Sequence, residues 1–340
     1  MAQTFSLFWL AFTLIIKAQS QVGISGWEIQ PYRLPQELVG GEAAAILAKD
    51  NNIYYFGGLV VNILDEDLRE FEYIDKVAIA SLPISRSRKR SRVPTEFKII
   101  ADLSVEDGFL EPHFVSGNNA LLLDSAPDDI FLTCEDSTGG QIWRFNTITF
   151  QFEIITIMPI PMEDCCPVSV GNKIYIFGGD DNSILYNNTQ IYDYDNDEWI
   201  LGSEIPIISG LELHNCENIN NEYMYLFGGQ TVSDQDETMA NKNSYKYDIS
   251  NDEWQIVYDV FEDIPTWSDG VLFQGLSYIS NTPYLLLTGG NNLDNDIFYN
   301  TVAIYNIDND EIDWELTNSI DDMNFNRGAA VYVVESVDRT

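Results

Sequence analysis

Residues Ile174–Gly179 read Ile-Tyr-Ile-Phe-Gly-Gly, a short apolar run that ends in an aromatic residue and two glycines. The pattern recurs at Ile53–Gly58 and Tyr225–Gly229, and at Leu285–Gly290 with Thr in place of the aromatic residue. The glycine pair at 228–229 lies 50 residues after the one at 178–179, and the pair at 289–290 lies 61 residues after that. Repetition at this spacing predicts an array of supersecondary units that bury their apolar surfaces against one another.

A tyrosine and a tryptophan follow three of these glycine tags, with six residues between the tyrosine and the tryptophan in two copies and eight in the last. The glycine tags are Gly57–Gly58, Gly178–Gly179, Gly228–Gly229 and Gly289–Gly290, and the aromatic pairs are Tyr192 with Trp199, Tyr247 with Trp254, and Tyr305 with Trp314. A worn copy at 130–135 ends in Cys-Glu, and Phe145 and Phe152 replace its tyrosine and tryptophan.

Each unit has the chemistry of a four-stranded antiparallel sheet. The apolar run is typical of a buried strand, and the two glycines permit positive φ and close backbone approach where it ends. The tyrosine lies on the next strand, the residues at 195–197 favour a turn, and Trp199 opens the outermost strand. A sheet with two apolar faces must stack on neighbouring sheets, and a ring of such sheets is a propeller.

This combination of tags and aromatic pairs resembles the kelch repeat, and the resemblance covers residues from about 26 to 334. It implies an all-β, kelch-type β-propeller whose blades are four-stranded and antiparallel. Two copies depart from the pattern. The first has no clear tryptophan, only Phe97 far downstream, and the second lacks the glycine pair.

We expect six blades, the sixth incomplete or shared between the two ends of the chain. Innermost strands are predicted at 42–48, 119–123, 167–171, 215–220, 273–280 and 328–334. Residues 26–30 resemble an outermost strand with no tag before it, so the first and last segments would close the ring together and remove exposed sheet edges.

The first 20 residues are predicted to be a signal peptide, and residues 21–340 the propeller. The segment 5–16 is apolar but short for a membrane span, and small residues at 18–20 suit signal peptidase. An uncleaved strand or a membrane anchor is the alternative, since Lys17 follows the apolar stretch. A secreted, extracellular protein is therefore expected, with no membrane span in the mature chain.

The formal net charge of −37 disfavours nucleic acid and anionic membranes, which bind positively charged surfaces. It favours basic partners or cations, although acidic turns also keep a β-rich protein soluble. We expect a monomer.

One basic segment stands out against this acidic background, in a loop insertion of the first blade at about 80–94. Its basic residues are Arg86, Arg88, Lys89, Arg90 and Arg92. Three interpretations stay open: a solvated loop, a cleavage site for a basic-specific processing protease, or a docking site for an anionic partner such as a sulfated glycan.

The four cysteines predict two disulfide bonds in an oxidising compartment. Cys166 and Cys216 each precede a glycine tag by 12 residues, which suggests equivalent positions in adjacent blades and a bridge between them. Cys134 would then pair with Cys165. The pairing with the two vicinal cysteines exchanged stays open, and a zinc site lacks a Cys-x-x-Cys pair.

No cofactor is expected, although weak calcium binding is possible at acidic turns. Asp193, Asp195 and Asp197 begin like an EF-hand loop, but Glu198 stands where that loop needs glycine. The turns at 308–310 and 291–296 are similar. We interpret all three as hairpin chemistry. The sequon at 187–189 makes Asn187 a candidate for N-glycosylation.

No catalytic residue is assigned. The only histidines, His113 and His214, occupy non-equivalent positions of their repeats, and no phosphate loop or nucleophile motif is present. Some kelch propellers resemble copper radical oxidases of the galactose oxidase kind or sugar mutarotases, so the resemblance implies a secreted carbohydrate-active enzyme as the alternative. The resemblance favours a non-catalytic module that binds a protein or glycan through loops around the central channel. An intracellular adaptor would conflict with the leader.

Overall fold

The computed structural model describes residues 13–18, 24–30, 32–33, 43–65, 68–81, 95–103, 119–134, 140–233, 235, 237–258, 260–261, 267, 270–272, 275–279, 282–290, 299, 301–312 and 318–319. Every regular element within these ranges is a β-strand. No helix among them is long and apolar enough to cross a lipid bilayer.

Three short strands precede the blades: β1 (Thr13–Ala18), β2 (Ile24–Gln30) and β3 (Tyr32–Arg33). The first blade and its insertions contain β4 (Ala44–Leu47), β5 (Asn52–Phe56), β6 (Leu59–Asp65), β7 (Leu68–Tyr73), β8 (Lys76–Ser81), β9 (Thr95–Glu96) and β10 (Lys98–Asp102). The second blade contains β11 (Ala120–Leu121), β12 (Asp129–Leu132), β13 (Gln141–Asn146) and β14 (Gln151–Ile157).

The third blade contains β15 (Cys166–Val170), β16 (Lys173–Phe177), β17 (Thr189–Asp193) and β18 (Glu198–Gly202). The fourth contains β19 (Glu212–Ile219), β20 (Tyr223–Val232), β21 (Thr238–Ala240), β22 (Ser244–Asp248) and β23 (Glu253–Val257). The fifth contains β24 (Gly275–Ile279), β25 (Tyr284–Thr288), β26 (Thr301–Asn306), β27 (Glu311–Ile312) and β28 (Asn318–Ser319).

Four antiparallel strands form the body of each blade and pair in chain order, for example β15-β16-β17-β18. The innermost strands pack side by side in the order β4, β11, β15, β19 and β24. The prediction of an all-β, kelch-type propeller with four-stranded blades is confirmed. The hairpin of β6 and β7, inserted between the second and third strands of the first blade, was not anticipated.

The described residues form five blades rather than the six expected. Of the two segments assigned to the sixth blade, residues 26–30 lie in β2, which pairs with β1, and residues 328–334 lie outside the described residues. β1 falls within the predicted leader, whose cleavage stays a prediction. β8 and β10 flank the basic segment, whose residues at 86–92 are not described.

Aromatic side chains pack each blade against the next. Phe177 ends β16, the strand of the third blade that leads into its glycine tag (the tag strand of that blade). Its ring lies 5.3 Å, centre to centre, from that of Trp254 in the fourth blade and 5.8 Å from that of Tyr247. Phe227 lies 5.0 Å from Tyr305 of the fifth blade. Full burial of one such side chain contributes roughly 1.5–3 kcal/mol to stability. Tyr and Trp therefore fill the wedge between blades, as their spacing predicted.

The tyrosines also hold the turn that follows their strand. The hydroxyl groups of Tyr192 and Tyr247 donate hydrogen bonds to the carboxylates of Asp197 and Asp252, at 2.8 and 2.6 Å. Both aspartates adopt positive φ, 52° and 53°. Aspartate tolerates this conformation because its short side chain bonds locally. The turn residue five positions after each tyrosine is thus part of the repeat.

The tag glycines of the third blade are required by close contact with the next blade. A β-carbon on Gly178 would lie 2.2 Å from the carbonyl oxygen of Leu211, where the chain enters the fourth blade. The backbone N–H of Gly179 donates to that same oxygen at 2.7 Å. Both glycines have positive φ, 55° and 103°. The tag is therefore a blade-to-blade contact as well as a strand end.

The second blade keeps the tag conformation without glycine. Cys134 occupies the place of the first tag glycine and has φ 58°, close to the 55° of Gly178. A residue with a β-carbon is strained there by roughly 1–2 kcal/mol. Its sulfur is bonded to Cys165 at the entry to the third blade, with the Cα atoms 5.3 Å apart. A covalent bond thus spans the junction where the tag has Thr133 instead of an aromatic residue.

The second disulfide joins Cys166 of β15 to Cys216 of β19, with the Cα atoms 6.0 Å apart. Consecutive residues of a strand point to opposite faces of the sheet. Cys165 therefore packs among residues of the second and third blades, and Cys166 among residues of the third and fourth. This alternation decides the connectivity that the sequence left open. All four cysteines are buried.

The expectation that Cys166 and Cys216 are equivalent was wrong by one position. Cys166 pairs with Phe177 on the tag strand, whereas Cys216 pairs with Leu226, one residue before the corresponding Phe227. The turn between β19 and β20 is one residue longer than the turn between β15 and β16. The two cysteines therefore lie the same number of residues before their glycine tags although their register on the tag strand differs by one. A shift of one residue reverses a side chain's face, so Cys216 points back toward the third blade, where Cys166 can reach it.

We predict that replacing Cys134 and Cys165 by alanine lowers the free energy of unfolding by about 2–4 kcal/mol. The variant with glycine at 134 and alanine at 165 should lose about 1 kcal/mol less, because glycine adopts positive φ without strain. Urea unfolding followed by tryptophan fluorescence would measure both. Equal stabilities of the two variants would contradict the assignment of strain to Cys134.

Candidate functional site

The face of the ring on which the second strands end at their glycine tags is called here the glycine face. On the third blade, the loop at 178–188 lies on this face and is held by hydrogen bonds between its own residues. The carboxylate of Asp181 accepts hydrogen bonds from the backbone N–H groups of Ser183 and Ile184 and, at 2.7 Å, from the hydroxyl of Tyr186. The bond from Tyr186 and then those from the backbone lower the pKa of Asp181 below its usual range. These bonds hold the loop in a defined conformation.

The connection from the third to the fourth blade runs beside this loop. The N–H of Leu211 donates to the carbonyl of Tyr186 at 3.0 Å. Gly210 fits so closely that a β-carbon on it would lie 2.5 Å from the carbonyl carbon of Leu185. On its other side, the hydroxyl of Ser209 donates to the carbonyl of Val232 at 2.5 Å. The connection thus joins the loops of two blades.

The fourth blade extends past its tag into an extra hairpin. β20 continues through its glycines to Val232, where β21 pairs with it and places Met239 opposite Thr231. Asn241 closes the hairpin, since its side-chain amide donates to the carbonyl of Gly228 at 2.9 Å. This hairpin makes the fourth blade taller than the third on the glycine face.

Three carboxylates meet at the junction of these two blades. One oxygen from each of Asp164, Asp180 and Glu212 lies within 4.8 Å of the others. Loss of hydration raises the pKa of Glu212, and a hydrogen bond shared with Asp180 raises it further. The side-chain amide of Gln230 donates to Glu212. The protonated form of Glu212 lets the three acidic groups lie together.

The sequence did not predict this cluster, because its members are up to 48 residues apart, from 164 to 212. A usable signal was the position of Asp180 directly after the glycine pair, with Gln230 at the same position of the next blade. Carboxylate oxygens are the ligand type that calcium prefers. No metal ligand was assigned from the sequence, and calcium binding stays a prediction.

The acidic turn at 193–198, which resembles the start of an EF-hand loop, uses its carboxylates in contacts with neighbouring side chains. Asp193 lies 3.1 Å from the ammonium group of Lys173. Asp195 accepts a hydrogen bond from Asn172 at 2.7 Å. Asp193 and Glu198 are register partners across the hairpin, so these residues form a turn. Residue 308 lies in a similar turn, and residues 291–296 are not described.

His214 is deeply buried rather than open to the channel. A β-carbon on Gly178 would lie 3.0 Å from its Cε1 atom, and one on Gly229 would lie 2.8 Å from its Cβ. Burial lowers the pKa of His214 to about 3, although nearby carbonyl groups offset the shift in part. It is therefore a neutral packing residue at the junction. His113 lies outside the described residues, as does Trp314.

Polar side chains of β19 reach both neighbouring innermost strands. The amide of Asn218 donates to the carbonyl of Ser169 on β15 at 3.0 Å. The carboxylate of Glu217 accepts the backbone N–H groups of Asn218 and of Tyr278 on β24. Glu217 as a residue is half-buried, but its carboxyl group is enclosed, and this burial raises its pKa to about 7. These contacts bind three blades together at the centre.

Asn187 begins the sequon at the end of the third-blade loop and is half-buried. Its side-chain amide donates to the carbonyl of Ile207 at 3.2 Å. The same amide also donates to the carboxylate of Glu204 at 3.4 Å, so a glycan on Asn187 would replace a hydrogen that is engaged in one of these two contacts. Glycosylation of Asn187 stays a prediction.

This region of the chain matches a known family motif. Residues 161–205 match the kelch motif. They contain the entry to the third blade, all four of its strands and the loop at 178–188. The match therefore coincides with the blade whose tag and aromatic pair follow the repeat most closely, and the remaining four blades repeat its strand order.

We predict a stability maximum at mildly acidic pH. Glu217 stays protonated up to about pH 7 when folded, but ionises near about 4.3 when unfolded. The unfolded chain thus binds fewer protons in this window, and stability falls as pH rises through it. His214 acts in the opposite sense, because it is neutral down to about pH 3 when folded and is protonated below about 6.5 when unfolded.

Urea midpoints measured between pH 4 and 9 would test this. Glu217→Gln should flatten the decline above about pH 5 and leave the acidic side unchanged, while Glu212→Gln should flatten the same decline further. An unaltered alkaline slope in both variants would show that neither carboxyl is protonated in the folded state.

Proposed function

Because the chain is a kelch-repeat β-propeller, we propose that it is a secreted, non-catalytic module that binds a protein or a glycan through the loops of its glycine face. Kelch propellers are commonly protein-binding scaffolds. The observation that carries the proposal is the glycine face of the third and fourth blades. Its loops are fixed by hydrogen bonds from Tyr186, Ser209 and Asn241. Binding residues are often held on loops that a rigid scaffold positions.

Secretion is supported by the cysteines and by the N-terminal sequence. Both disulfides are of the kind that forms and persists in oxidising compartments. The apolar segment at 5–16 followed by small residues has the pattern of a cleaved leader. Expression in a secretory host should place the chain in the medium with residue 21 at its N-terminus.

The ring itself is proposed to have a sixth blade made by both ends of the chain. Among the described strands, extensive packing between innermost strands runs from β4 to β24, the first and fifth blades. A blade between these two would close the circle and cover their open faces.

The alternative, a carbohydrate-active enzyme, depends on a histidine that meets tyrosine hydroxyl groups in an open pocket. His214 is buried, and the hydroxyl groups of Tyr192, Tyr247 and Tyr305 are bonded to aspartates. These positions give the alternative less support than the binding proposal. Peroxide release from galactose by the copper-treated protein would favour it instead.

We expect the folded chain, immobilised through a C-terminal tag, to retain a protein or a defined glycan from the extracellular fluid of its host. The control is the same chain reduced, alkylated and unfolded. Retention should be identified by mass spectrometry and by a glycan array. Equal retention by the folded and unfolded forms, or none by either, would contradict the binding proposal.

The basic segment carries a separate proposal, processing by a protease or docking of an anion. Ser in place of Arg88, Lys89 and Arg90 should abolish cleavage of the secreted chain, because a basic-specific protease needs the dibasic step. The band pattern on reducing gels would measure this. If uncut protein loses heparin affinity in the variant, the segment serves anion docking; an unchanged pattern and unchanged affinity would remove both.

A further inference from the structure

Three large apolar side chains are exposed on the glycine face where the third and fourth blades meet. Ile208 is 101% exposed, Ile184 61% and Met239 42%. They belong to three different segments: the third-blade loop, the connection between blades and the extra hairpin. We call the surface that they form the junction surface. An exposed apolar side chain is ordinary when single, but a group of them on one face marks an interaction site.

Hydrogen bonds and close packing hold the three segments side by side. Ile208 is followed by Ser209, which bonds to Val232 and contacts Thr231 at 3.1 Å. Thr231 is the register partner of Met239. Ile184 precedes Leu185, against which Gly210 packs. The connection that carries Ile208 thus lies between the two elements that carry Ile184 and Met239.

The surroundings of the junction surface are acidic. Residues 178–188, 203–213 and 229–243 contain a single basic residue, Lys242. Carboxylates lie on every one of these segments, and those of Asp181 and Glu237 are on exposed residues. Asp180 and Glu212 add the cluster beneath. A partner must therefore supply positive charge around an apolar centre.

We propose that the junction surface binds a basic polypeptide segment whose apolar side chains contact Ile184, Ile208 and Met239. This rests on the proposed binding function and specifies its partner. Charge complementarity selects the partner, because anionic lipid, nucleic acid and sulfated glycan would all be repelled here. A second copy of the chain meets the same objection, since it carries a net charge of −37.

Three short fluorescent peptides of equal length would test the proposal on the full chain, with fluorescence anisotropy as the readout. They alternate Lys with Leu, Glu with Leu, and Lys with Ser. The Lys-Leu peptide should bind, the Glu-Leu peptide should not, and the Lys-Ser peptide should bind at least about tenfold more weakly, because it has charge without apolar contact.

Matched variants locate the site. Serine at Ile184, Ile208 and Met239 should weaken Lys-Leu binding by about tenfold or more. Serine at Ile200 and Leu201, which are 45% and 60% exposed on the outer strand β18, should leave it unchanged. These positions are exposed in the free chain, so both variants are expected to keep the wild-type unfolding midpoint.

Several results would overturn the proposal. Equal loss in both variants, equal binding of the Lys-Ser peptide, or tight binding of the Glu-Leu peptide would each do so. Binding of the wild-type chain to phosphatidylcholine vesicles, if the triple variant abolished it, would show that the junction surface binds lipid. Self-association of the chain, if Ser at Arg88, Lys89 and Arg90 abolished it, would show that a second copy is the partner. A natural partner held equally by the wild type and the triple variant would overturn this inference and leave the binding function standing.

Discussion

The contact between the tag strand of one blade and the aromatic pair of the next is the interaction on which the molecule depends. Phe177 meets Tyr247 and Trp254, and Phe227 meets Tyr305. A single sheet with two apolar faces has no stable isolated form, so each blade is stable only between neighbours. The burial of these rings fixes the distance between blades, and the tag glycines let the backbones approach closely enough to keep it.

Where this contact is weakest, a covalent bond is present. The second blade has Thr133 where three of the other blades have an aromatic residue, and Cys134 where all four others have glycine. Cys134 is joined to the third blade. Cys166, which follows Cys165, the partner of Cys134, is joined to Cys216 of the fourth blade. Three consecutive blades are thus linked in a chain, with strain at Cys134 retained because the sulfur must reach Cys165. The third and fourth of these blades carry the fixed loops of the glycine face.

The rigid packing between the third and fourth blades also explains how an acidic protein can present the junction surface as a specific binding site. Glu212 lies within a cluster of carboxylates in which its raised pKa reduces repulsion, so the loops above it can pack closely. The exposed apolar residues on those loops then have fixed positions relative to the surrounding carboxylates. Charge alone would attract many basic partners, whereas the apolar centre adds a requirement for shape.

The sequence by itself determined the repeat, the fold class and the core. Tags and aromatic pairs are local patterns, and burial of Tyr192, Phe177 and their equivalents follows directly from strand periodicity. It also determined that four cysteines would form two bridges. It did not determine their connectivity, because a turn one residue longer before β20 reverses the direction of Cys216.

Only the tertiary structure decided which distant residues meet. Asp164, Asp180 and Glu212, and likewise Ile184, Ile208 and Met239, come from separate loops that share a neighbourhood through the packing of two blades. No periodicity relates such residues, since their proximity depends on the angle between sheets and on loop lengths. The same reason placed His214 inside a blade junction, where a lone histidine in the sequence gave no sign of its burial.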